Sequence, residues 1–134
     1  MDKKTLDQLV SQLENYVECW KQFNTYLALA RSKKFTQDDE NQFLEVKSVI
    51  TQELEMILAS IEQGGPNREE VHLLISGTPS IRYMSELQEG SLRTIETNWH
   101  KLFLGMQASL GQLKVLQKNA AGESFWSKMF SKKK

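Results

Sequence analysis

Residues 4–32 read KTLDQLVSQLENYVECWKQFNTYLALARS, and the spacing of apolar residues within them decides the fold. Leu6, Leu9, Leu13, Tyr16, Trp20, Phe23, Leu27 and Ala30 alternate steps of three and four, and all eight are apolar or aromatic. A half-buried strand would alternate at every second residue; this is the heptad-type, coiled-coil-like stripe of an amphipathic helix. Val10 and Val17 each sit one residue past a stripe position, which widens the face and implies burial against more than one neighbour. The spacing predicts a helix over residues 4–32.

Glycine and proline extend that reading along the chain. Residues 1–63 contain neither, a composition suited to long helices rather than to a many-turned β protein. After Lys33-Lys34-Phe35, Thr36 is placed to cap a second helix, with Asp38, Asp39 and Glu40 in its first turn where the helix dipole favours negative charge. Its stripe is Phe43, Val46, Ile50, Leu54, Ile57 and Ile61, running to Gln63, with Gly64-Gly65-Pro66 expected to supply a glycine C-cap and a stop. Asn67 caps a short third segment, residues 68–76. Its run Val71-His72-Leu73-Leu74-Ile75 is apolar enough for a strand, but a lone strand would have no partner, so helix is expected. Thr78 as N-cap and Pro79 as first residue are expected to open a last helix of about 40 residues. It is expected to bend at Gly90, with a seam of Leu92, Ile95, Trp99, Leu102, Met106, Ser109, Leu113, Leu116 and Ala120.

Three rods of similar length joined by short connections pack antiparallel, each hiding its stripe against the others. The expected fold is therefore all-α: an elongated antiparallel three- or four-helix bundle with a short third helix and a long last helix. Residues 1–121 form the bundle and residues 122–134 a separate C-terminal tail.

The 134 residues suit one domain, and 40% hydrophobic residues can fill its core. Seventeen basic residues balance seventeen acidic ones, which argues against a generally cationic nucleic-acid binder. Arg31, Lys33 and Lys34 fit the end of a helix and a solvated loop. One cysteine excludes a disulfide framework and a multi-cysteine zinc site. No run of 18 apolar residues is present to span a bilayer, and the polar N-terminal segment lacks the apolar core of a signal peptide.

Candidate chemistry is sparse. Cys19 lies near Glu14 and Glu18, whose charge disfavours a thiolate. Glu69 and His72 have the Glu-x-x-His spacing of carboxylate-bridged di-metal bundles, but that site needs a second such pair and a carboxylate from each of two further helices. Glu96 and His100 have the wrong spacing. Ser76-Gly77-Thr78-Pro79-Ser80 lacks the second glycine and the lysine of a phosphate loop. No catalytic residue, metal site or cofactor is expected. The small residues Gly105, Ala108, Ser109 and Gly111 are expected to make room for Trp20 or Phe23; the sharper reading is a contact face for a second chain.

The C-terminal segment departs from this pattern. Residues 122–134, GESFWSKMFSKKK, hold four lysines against one glutamate, a net +3 that leaves −3 on residues 1–121. Phe125, Trp126, Met129 and Phe130 recur at i, i+1, i+4 and i+5, one compact face of a helix. Lys128, Lys132, Lys133 and Lys134 take the other side and the end. Burying four such side chains contributes roughly 6 to 10 kcal/mol gross, and each lysine near an anionic lipid surface adds about 1 kcal/mol. Ordering the segment removes much of this, leaving reversible peripheral attachment. Three uses compete: folding back on the bundle, anchoring to an anionic membrane surface, or serving as a helical ligand for a protein partner.

The size and the long amphipathic helices are similar to those of flagellar and type III secretion chaperones. The similarity is one of helical pattern without a shared motif, and no residue role follows from it. The expected function is a non-enzymatic scaffold or adaptor whose tail docks to a membrane surface or a protein partner. The expected location is the cytoplasm, with peripheral membrane attachment where the tail engages lipid. The alternatives are a secretion-type chaperone that holds a partner's helix on the bundle, and a di-metal carboxylate enzyme. The stripes leave open whether they are satisfied in one chain or in a homodimer.

Overall fold

The structure is a computed structural model describing residues 2–61 and 64–132, with side chains described as far as Ala120. Five helices follow in order: α1 (Lys3–Ser32), α2 (Gln37–Ser60), α3 (Arg68–Ser76), α4 (Ile81–Ser85) and α5 (Glu89–Lys132). No strand occurs among the described residues, and the fold is an all-α bundle with a short third and a long last helix.

Local chemistry sets the helix starts. The Asp2 carboxylate accepts from the Thr5 N–H at 2.7 Å. Thr36 and Asp39 form a reciprocal capping box: the Asp39 N–H donates to the Thr36 hydroxyl at 3.1 Å and the Thr36 N–H donates to the Asp39 carboxylate at 2.8 Å. Asn67 caps α3 by accepting from the Glu70 N–H at 3.0 Å. The run Val71–Ile75 is thus helical, and it buries Val71 and Leu74.

α1 is the central rod, and α2, α4 and α5 all pack on it. Every expected stripe position of α1 is buried, together with Val10 and Val17. An aromatic chain runs through the core, with ring centroids 6.3 Å apart for Tyr16 and Trp20, 5.4 Å for Trp20 and Phe23, and 5.3 Å for Phe23 and Phe43. α5 lies antiparallel to α1. Arg31 pairs with Glu89, the Trp99 indole N–H donates to the Trp20 carbonyl at 2.8 Å, and the Gln117 amide donates to Asp7 at 2.7 Å. The start of α1 is therefore level with residues near 120 of α5.

Several boundaries fall elsewhere than the pattern predicts. α2 ends at Ser60 with extended Ile61 as its C-cap, not at a glycine. Glu62 and Gln63, where the stripe was expected to end, lie outside the described residues. The connection crosses early to α5, where the Ser109 hydroxyl donates to the Gly64 carbonyl. Gly64 adopts φ 78°, the left-handed region that favours glycine. Thr78 does not open the next helix; its hydroxyl donates back to the Leu74 carbonyl at 2.8 Å, and Ser80 caps α4 instead. Gly90 is not a bend within a helix, because the chain breaks between α4 and α5 and Gly90 falls in the first turn of α5.

Contacts from α2 fix the start of α4. The Glu40 carboxylate on α2 accepts from the Ile81 N–H at 2.6 Å and the Arg82 N–H at 3.3 Å, holding the start of α4. Lys47, also on α2, donates to the Thr78 carbonyl at 2.7 Å. Its ammonium lies 5.5 Å from the Phe43 ring centre, and burial lowers its pKa.

Candidate functional site

The residues with catalytic potential do not assemble. Cys19 is half-buried, and burial first, then Glu53 and Glu18, push its thiol above the ordinary pKa. Glu69 and His72 line an open cleft between α2 and α3 with Thr51, Arg68 and Leu73. Glu96 is occupied by Arg31, which also grips Glu89 with contacts of 2.6 and 2.7 Å. Arg31 thus binds across to the start of α5 rather than only finishing α1. Among the described residues no group of three His, Cys, Asp or Glu side chains could hold a metal ion. A second cleft, between α3 and α5, is lined by Leu73, Leu74, Ile95 and Leu102 with Glu70 and Lys101 at its polar edge. It brings together no nucleophile and base.

Large exposed apolar side chains lie on α2 (Leu44, Met56) and α3 (Leu73) as well as on α5, where they coincide with a lysine-rich stretch. The seam of α5 is buried from Leu92 through Leu113, with Ile95 half-buried, and ends there. Leu116, expected in the seam, is 55% exposed; it lies beyond Ser109, where the loop after α2 meets α5. The small residues do not make room for Trp20 or Phe23. A Cβ on Gly105 or Gly111 would meet nothing within 4 Å, and Ala108 is exposed. Only Ser109 is buried, where it bonds to the Gly64 loop and to the Gly105 carbonyl at 3.2 Å.

Those exposed positions form a second stripe that the composition did not advertise. Leu104 (51% exposed), Ala108, Gly111 and Val115 (58% exposed) follow steps of four, three and four on the solvent side of α5. At about 100° per residue they lie opposite Ile95, Leu102, Met106 and Leu113. The sequence carries the same spacing, hidden because two of its members are small. Charge is skewed along the chain in the same direction. Residues 97–134 hold seven lysines against one glutamate, whereas residues 1–96 hold ten basic and sixteen acidic residues. No Asp or Glu occurs between Thr97 and Gly122. Lys101, Lys114 and Lys118 are exposed, and Glu70 approaches Lys101 at 3.6 Å.

Of the expected contact residues, Phe125, Trp126, Lys128, Met129, Phe130 and Lys132 fall on the helical backbone of α5, but their side chains lie outside the described ones. Lys133 and Lys134 lie outside the described residues altogether. The α5 backbone passes Gly122 without interruption. Twelve residues beyond Ala120, at 1.5 Å each, carry the helix about 18 Å past the level at which α1 begins. Positions 125, 126, 129 and 130 fall on the side of α5 opposite its buried seam. No helix of the described residues is long and apolar enough to cross a membrane. No protein-family profile, curated protein or solved structure matches the chain.

Proposed function

We propose that this protein is a non-enzymatic interaction module: a helical bundle that carries a lysine-rich amphipathic helix end to an anionic membrane surface. The observation that supports it most is the length of α5, 44 residues against 30 for α1, the helix it packs on. A helix end that outruns the helix it packs on favours a partner outside the bundle, and helical spacing puts the aromatic positions on the side away from the seam. The continuous backbone of α5 supports an extended end over one folded back on the bundle. Aromatic side chains flanked by lysines suit the boundary between headgroups and acyl chains, where apolar burial and cationic attraction add.

The test is co-sedimentation of the full chain with anionic and with neutral vesicles. It is compared with a variant carrying Phe125→Ser, Trp126→Ser, Met129→Ser and Phe130→Ser, with thermal unfolding recorded on both. The expected result is binding to anionic vesicles that the variant loses while its melting temperature stays unchanged. A variant that melts lower would put those side chains in the core. Intact anionic-vesicle binding by the variant would also refute the proposal.

A further inference from the structure

We infer that the membrane-binding surface is not confined to the end of α5 but runs along its outer face from Lys101 to Lys132, so that the helix lies along an anionic bilayer. This rests on the proposed lipid binding and specifies its extent and orientation.

The solvent side of α5 carries Leu104 and Val115 with Ala108 and Gly111 between them, all exposed, and a Cβ on Gly111 would meet nothing within 4 Å. Two large apolar side chains with two small residues between them on one exposed helix face make a low apolar strip rather than scattered surface residues. Carried on at the same spacing, the strip reaches positions 122, 125 and 129, so the bundle portion and the end of α5 share one side. Lysines edge it: Lys101 and Lys114 lie on its two flanks, and Lys118 interrupts it on a stem long enough to lift its charge to the headgroups. An apolar centre with basic flanks and a polar opposite face is the pattern of a helix lying in the interface plane.

Charge complementarity names the occupant. Residues 98–121 of α5 contain no Asp or Glu to repel anionic headgroups, and Glu70 of α3, beside the strip's first lysine, lies 3.6 Å from Lys101. α2, by contrast, carries Asp38, Asp39, Glu40, Glu45, Glu53 and Glu55 against a single lysine, Lys47, and would be repelled. A neutral helix face built for a second copy of the chain would not need this segregation. The bundle therefore sits with the outer face of α5 toward lipid and α2 turned away from it.

The experiment uses the full chain with its C-terminal aromatics intact. Leu104→Glu/Val115→Glu is expected to weaken binding to anionic vesicles by about tenfold or more, from lost apolar burial and added repulsion. Both side chains are exposed, so the unfolding transition should not move. In parallel, Val115→Cys should be protected from maleimide by anionic vesicles while Met56→Cys on α2 stays reactive. Binding by the double variant at wild-type strength, with position 115 still reactive, would overturn this extent and leave the C-terminal proposal standing. Absence of vesicle binding by the unmodified chain would refute both. A full chain that sediments as a dimer, with the double variant monomeric, would assign the strip to a second copy and overturn the inference.

Discussion

Tyr16 and Trp20 sit at the centre of the core, and the hydroxyl of one and the indole N–H of the other find no hydrogen-bond partner among the described residues. Burial pushes the Tyr16 phenol well above its ordinary pKa, so it stays protonated and simply lacks a partner. Removing an unsatisfied buried hydroxyl relieves its desolvation cost, so Tyr16→Phe should be neutral or raise stability by about 1 kcal/mol. Urea unfolding checks this, and a loss of stability would mean that the hydroxyl has a partner. Gly64 makes the opposite case. At φ 78° any side chain is strained, and its carbonyl receives the Ser109 hydroxyl, so Gly64→Ala should cost about 1 kcal/mol or more. Gly64→Asn, which tolerates that conformation better, should recover part of the loss.

Helices are held to one another by a few polar clasps as well as by the core. Arg31, at the end of α1, binds Glu89 and Glu96 at the start of α5. Hydrogen bonding from Arg31 lowers the Glu89 pKa below its ordinary 4.5. A carboxylate whose folded pKa is depressed contributes fully above the ordinary value and loses that contribution as pH falls through the lowered one. Glu89→Gln should therefore unfold at lower urea than the wild type at neutral pH, with the gap closing below about pH 4. A gap of equal size at low pH would show that the ion pair is not its source. Elements of this kind were unevenly legible in the sequence. The α1 stripe and both residues beside it were readable because each position is apolar at regular steps, and Thr36 and Asn67 announced their helices by local capping chemistry. The break between α4 and α5 was not readable, because no glycine or proline lies within residues 80–89. The start of α4 was equally hidden, because Glu40 and Lys47, some forty and thirty residues upstream, hold it through Thr78, Ile81 and Arg82.

At the scale of the whole molecule, the balanced net charge conceals a separation. Acid dominates α2, and lysine dominates the second half of α5. The basic, aromatic end of the chain was visible in the sequence as a change of character. The outer strip that leads to it was not, since Gly105, Ala108 and Gly111 read equally well as space for a neighbouring helix. Only their open surroundings distinguish the two readings. Apolar burial and lysine attraction contribute together to the proposed attachment, so it should weaken with salt and require anionic lipid. The most direct measurement is co-sedimentation of the unmodified full chain with vesicles of anionic and of neutral lipid at low and at physiological salt. The account predicts binding to the anionic vesicles alone, weaker at the higher salt. Equal partition between the two lipids, or no sedimentation with either, would contradict it.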